Sequence, residues 1–177
     1  MIVEPLPIAG AFRIKTESHA DERGRFSRTF DADIFRANGL ETNFIQRSTS
    51  FNTRRGTLRG LHWQADPHGE IKTVRCTRGA VFDVLVDLRK GSPTFGKWHG
   101  EELTPDIPTI LYIPNGCAHG FQTLADASEI YYEISAAYVP QATRGVRYDD
   151  PMLAIRWPVA NPILSDRDRQ SPLMSEL

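Results

Sequence analysis

Residues 113–122 read IPNGCAHGFQ. A short apolar run over 109–113 meets the turn signal Pro114-Asn115-Gly116, and His119 follows three residues after the glycine, in the spacing P-x-G-x-x-H. The same grammar extends outward along the chain. Turn residues at Asp21-Glu22-Arg23-Gly24, Arg55-Gly56, Pro67-His68-Gly69, Arg78-Gly79 and Lys90-Gly91-Ser92-Pro93 bracket runs rich in Val, Ile, Phe, Tyr and Thr. The clearest strands are 57–64, 71–77, 80–87, 109–113 and 129–136. Short strands at such spacing predict an all-β sandwich or barrel. A short helix is expected at 31–38 (DADIFRAN), with Asp31 as N-cap and Gly39 as its stop, and a second helical turn near Ser165.

The bulk properties exclude more than they assert. At 177 residues the chain reads as one domain spanning 1–177, large enough to bury a core without staples. A formal net charge of -1, with both signs mixed along the sequence, gives no reason to expect nucleic acid or an anionic membrane as partner. No stretch is long and apolar enough to span a bilayer. The start, MIVEPLPIAG, lacks a basic segment followed by a long apolar one, so no signal peptide is expected and a cytoplasmic location is. Cys76 and Cys117 lie far apart without C-x-x-C spacing, so neither a zinc site nor a disulfide framework is indicated.

A second histidine, His62, sits in LRGLHWQ (58–64). A lone strand histidine is ordinarily a packed core residue, so its neighbours decide. Side chains alternate faces along a strand, which groups Leu58, Gly60, His62 and Gln64. In 129–134 the same alternation puts Tyr132 between Ile130 and Ile134 on the inner face, with Glu129, Tyr131 and Glu133 outside. For Lys72 alternation leaves two faces open, because a buried lysine needs a partner. Arg59 falls on the face opposite His62 unless Gly60 marks a bulge or sharp bend. His19, His68 and His99 stand in turn-like contexts and read as solvated surface residues.

The P-x-G-x-x-H spacing resembles the second motif of cupins, double-sheet jelly-roll barrels. A metal-binding cupin pairs it with H-x-H in an earlier strand; here the piece is His62-Trp63-Gln64, one imidazole short, so no bound metal is expected. Further pieces resemble one family within that fold. DERG (21–24), GTLRGLHWQ (56–64), KTVRCTRGAVFDVLVDLRKGSPTFGKW (72–98), IPNGCAHGFQTL (113–124), YYEISAAYVP (131–140), RGVRYDDP (144–151) and ILSDRD (163–168) are similar, in order and spacing, to the dTDP-4-dehydrorhamnose 3,5-epimerases. The resemblance implies a cofactor-free epimerase acting on a nucleotide-diphosphate-linked 4-keto-6-deoxyhexose. It implies His62 as base, Asp168 as the carboxylate orienting it, Tyr132 as proton donor on the other face, and Lys72 beside the ketone oxygen. It further implies substrate contacts by Arg23, Arg59, His119 and Tyr138, and a homodimer that exchanges its N-terminal segment. Asp83 is placed to hydrogen-bond His119, with capping of a backbone N–H as an equally simple role.

The chain departs from the family at Arg28, where a nucleotide-binding glutamate is usual, and at Gln46-Arg47-Ser48, where Gln-x-Asn is usual and a loop one residue longer is expected to follow. Glu133 stands where a lysine is often found. The first two changes bear on which nucleotide is bound. Competing readings are a 3,4-ketoisomerase, which would place histidines on both faces, and a non-catalytic nucleotide-sugar-binding cupin, which would not need base, carboxylate, phenol and lysine together.

Overall fold

The alternation becomes two antiparallel sheets packed face to face. The computed structural model describes residues 1–177. The elements run β1 (Ile2–Pro5), β2 (Phe12–Lys15), β3 (Ser18–Asp21), β4 (Gly24–Ser27), α1 (Ala32–Ala37), β5 (Gln46–Asn52), β6 (Leu58–Gln64), β7 (Lys72–Arg78), β8 (Val81–Asp87), β9 (Trp98–Leu103), β10 (Thr109–Ile113), β11 (Cys117–Thr123), β12 (Ser128–Ile134), β13 (Thr143–Gly145) and α2 (Asp166–Arg169). A six-stranded sheet has the order β1-β2-β10-β7-β12-β5, a five-stranded sheet the order β13-β6-β11-β8-β9, and β3 and β4 form a separate hairpin. Strands distant in sequence lie side by side, β10 beside β2 and β12 beside β5, which is the crossover pattern of a jelly roll.

Alternation explains the layers. Val74, Cys76, Leu111, Ile113 and Ile130 of one sheet meet Val81, Leu85, Leu103, Cys117 and Phe121 of the other in a single buried cluster. Each large side chain fully buried there contributes about 1.5–3 kcal/mol. The outward residues of β2 and β10 (Ile14, Ile110, Tyr112) are covered by Phe35 of α1 with Leu40 and Phe44. Those of β6, β8 and β11 (Leu61, Val84, Val86, Ala118) are covered by Val146 and Leu153 of the irregular C-terminal segment. Both helices begin as expected: the Asp31 side chain accepts from the N–H groups of Asp33 and Ile34, and Ser165 accepts from Asp168. Gly39 follows α1 at φ +69°. No helix is long and apolar enough to cross a membrane.

Two expectations change. No loop follows directly on Gln46-Arg47-Ser48: Gln46–Asn52 is a seven-residue strand paired along its length with β12. Its sequence, QRSTSFN, is too polar to announce itself. His99 is not a solvated turn residue; it lies in β9, its side chain 17% exposed and bonded through Nε2 to Glu101. His119 itself lies on β11, whose seven residues are all buried and show no alternation.

Candidate active site

Side chains from both sheets and from α2 enclose a cavity of about 420 Å³. His62 enters from β6 in the five-stranded sheet, Tyr132 and Lys72 from β12 and β7 in the six-stranded sheet, so imidazole and phenol stand on opposing walls.

A backbone irregularity brings Arg59 to the same wall. His119 pairs with His62 but Phe121 pairs with Arg59, so three steps along β6 match two along β11. That is the bulge Arg59 required. Gly60 occupies it at φ +124°, where a Cβ would meet Gly120 Cα at 2.5 Å. Arg59 lines the cavity with His62, and its Nε donates to Asn52 Oδ1 at 2.7 Å, leaving the forked end of the guanidinium free. Asn52 is itself buried, with its Nδ2 given to the carbonyls of Ser50 and Ser128, which fixes the amide with its oxygen toward Arg59.

His62 Nε2 lies 2.5 Å from Asp168 Oδ1. Burial pushes the Asp168 carboxyl up, but hydrogen bonds from the His62 ring, Ser165 and the Gly60 N–H outweigh it, so the net shift is below the ordinary value. The carboxylate stays ionised, and a ring that gives Nε2–H to it keeps Nδ1 open to take a proton. Opposite, the Tyr132 phenol is pushed well above its ordinary value by burial and by the nearby Asp83 charge, against a smaller pull from Arg59. Its ring stands edge-on to that of His119, centroids 5.7 Å apart. His119 Nε2 bonds both Asp83 oxygens, at 3.0 and 2.9 Å. Lys72 Nζ lies 2.7 Å from Glu70 Oε1, which settles its open orientation toward the cavity with a partner in place.

Tyr138 lines the mouth and is 58% exposed. Arg23 does not line the cavity of its own chain. It sits on the β3–β4 hairpin with its side chain 85% exposed and bonded to Asp21, because no residue of β3 packs on either sheet. Gln64, at the position of a cupin's second imidazole, gives Nε2 to the carbonyls of His68 and Ala137, and its Oε1 accepts the Val139 N–H. Its amide is wholly used by backbone, and no three His, Cys, Asp or Glu side chains converge as metal ligands. Sequence reading missed Glu70, Asn52 and Arg167. Arg167 lies within the quoted ILSDRD motif, one residue before Asp168; nothing marked the other two.

The family model described as dTDP-4-dehydrorhamnose 3,5-epimerase matches residues 5–176. The chain belongs to that family. The dTDP-4-dehydrorhamnose 3,5-epimerase of Sinorhizobium fredii is 42% identical over 178 residues, covering 100% of this chain and 91% of the relative. The dTDP-4-dehydrorhamnose 3-epimerase of Streptomyces niveus is 41% identical over 177 residues, covering 99% and 85%. The solved structure of the Mycobacterium tuberculosis rmlC epimerase superposes with a TM-score of 0.95 at 39% identity, covering 99% of this chain and 90% of that one. Similarity thus extends over nearly the whole of this epimerase-family chain rather than over its motifs alone.

Proposed function

We propose that the protein is a cofactor-independent epimerase that inverts C3, C5 or both carbons of a nucleotide-diphosphate-linked 4-keto-6-deoxyhexose, with dTDP as the nucleotide by kinship. The observation that carries this reading is the pairing, across one cavity, of the oriented His62–Asp168 couple with the Tyr132 phenol, beside Lys72. A carbon next to a ketone holds an acidified hydrogen. His62 Nδ1 takes that proton, and the C–H electron pair moves into the ring as an enolate whose charge rests on the ketone oxygen near the Lys72 ammonium. Tyr132 then gives its proton to the carbon from the opposite face, the enolate pair forms the new C–H bond, and configuration is inverted. The phenolate regains a proton from solvent and His62 releases its own. A phenol raised by burial is kept protonated at neutral pH, as a donor must be. Arg59 and Arg167 line the same cavity and suit the diphosphate through forked, charge-assisted bonds.

We further propose the homodimer implied by the family resemblance, with the β3–β4 hairpin of one protomer carrying Arg23 to the partner's cavity. The exposure of this hairpin, with Phe26 70% exposed, supports it, and a light-scattering mass of one chain would remove it. The relatives named for inversion at C3 alone and at both carbons are almost equally similar, so the carbon count is decided by experiment. Proton NMR in heavy water with 4-keto-6-deoxy sugars on several nucleotides is expected to show deuterium at C3, C5 or both, abolished by His62→Ala. Absence of exchange with every nucleotide would overturn the epimerase reading in favour of a binding protein.

A further inference from the structure

The Lys72 ammonium does not face the cavity alone. Glu70 Oε1 lies 2.7 Å from it, the two side chains are 13% and 10% exposed, and both line the cavity. The loop holds Glu70 firmly. A Cβ at Gly69 would overlap the Asn115 side chain, so that glycine lets the loop press against it, and Asn115 in turn bonds Asp66. On the other side Ile71 is pinned twice to the residue that follows β12, its N–H to Ser135 Oγ at 2.9 Å and its carbonyl to the Ser135 N–H at 3.0 Å. Gln64 Nε2 secures the His68 carbonyl at 3.0 Å.

A carboxylate in this position works against two evident needs. The site must bind a dianionic diphosphate and stabilise an enolate, and both call for positive charge. The substrate, however, offers a cation two destinations. The diphosphate is charged from the start, whereas the ketone oxygen acquires charge only as the C–H bond breaks. A bare ammonium would be drawn to the diphosphate first and would hold the substrate end for end. An ammonium paired with a carboxylate presents a dipole, whose field fades with distance faster than that of a lone charge, and the carboxylate repels phosphate outright. At contact distance the same ammonium still donates to a carbonyl. Discrimination between two placements of one ligand commonly needs such a repulsive element as well as an attractive one.

We propose that Glu70 sets the direction in which the substrate lies, by screening Lys72 from the diphosphate so that the dianion settles on Arg59 and Arg167 and the ketone on Lys72. The inference rests on the epimerase reading and adds a positioning residue to it. The test uses inorganic pyrophosphate as a competitor of 4-keto sugar turnover, and its binding by calorimetry. For Glu70→Gln, the pyrophosphate inhibition constant is expected to fall about tenfold, the scale of removing one unit charge several ångströms away near a protein surface. Inhibition by excess substrate is expected to appear and kcat to drop. Glu70→Asp, which keeps the charge, should behave as the parent, and Lys72→Met in the Glu70→Gln background should erase the gain in pyrophosphate affinity. If turnover is present and pyrophosphate is indifferent to Glu70→Gln, the screening role is wrong and the epimerase reading stands. If no sugar hydrogen exchanges in the parent protein while Glu70→Gln still tightens pyrophosphate, the epimerase reading is wrong and the screening stands.

Discussion

Two histidine–aspartate pairs face each other across one hydrogen-bonded strand pair, His62–Asp168 and His119–Asp83, with His62 and His119 directly opposed in register. The chemistry of the parts is the same and the surroundings are not. The His62 side chain is 31% exposed to the cavity, and its carboxylate gathers hydrogen bonds from Ser165 and the Gly60 N–H besides the ring. The His119 side chain is 5% exposed and Asp83 wholly buried. Asp83 has His119 as its hydrogen-bond partner and, directly across on β9, the like charge of Glu101. Burial, with Glu101 adding to it and His119 opposing, pushes the Asp83 carboxyl up, whereas Asp168 is held down. A carboxylate that stays ionised beside an open ring can stabilise an imidazolium during proton transfer. A carboxylate whose pKa is raised by burial, bonded behind a ring that is itself buried, can serve to fix that ring against Tyr132. Environment, not residue identity, divides the two tasks.

Substitutions can break or sharpen this division. The largest effect is expected from Asp168→Asn, which keeps the shape of the contact but favours the wrong ring tautomer. It should lower kcat by about 10³–10⁴-fold, read as the rate of deuterium wash-in; a loss below tenfold would make the two pairs equivalent. Next comes Tyr132→Phe, which should leave deuterium wash-in running while net inversion falls by about 10²-fold or more; parallel measurement of exchange and of product configuration checks it. Asp83→Asn should cost kcat only about tenfold, below the 10²-fold floor typical of a group that itself transfers the proton. Equal losses for Asp83→Asn and Asp168→Asn would end the distinction.

The smallest effect on turnover is expected from Glu101→Gln, whose signature lies in stability. Burial pushes the Glu101 carboxyl up, but the hydrogen bonds from His99 and from the Arg13 guanidinium outweigh it and bring it down to about 2. A carboxyl lowered on folding stabilises the fold above its unfolded value, near 4.3, and loses that contribution as pH falls toward 2. The parent protein should lose on the order of 2–3 kcal/mol through this group between pH 5 and 2, and Glu101→Gln should not. Urea unfolding at the two pH values distinguishes them.

Much of this was written in the sequence, unevenly. Strands with one buried face and a clean period, such as 129–134, declare both their existence and their inward residues, which is how Tyr132 could be oriented before any coordinates. β11 declares nothing, because both of its faces are buried and alternation has no second phase to show. β5 is paired along its length with β12, yet most of its side chains face outward and polar ones suffice. Among site residues, His62, Asp168, Tyr132, Lys72, Arg59, His119 and Tyr138 are brought to one cavity. The partner of Lys72 was illegible because Glu70 lies in a turn, where no periodicity reports direction. Arg23 was read from a motif, and a motif carries no information about which surface its loop will reach.

Gly60 and Gly120 touch where the strand carrying His62 lies against its neighbour β11, and the Gly60 N–H also holds Asp168. Two positions that contribute no functional group therefore govern how near the imidazole and its carboxylate can come to each other. A single added methyl at either would wedge β6 from β11, silencing the reaction while every reactive side chain remained present. The emptiest point of the barrel is among the least replaceable.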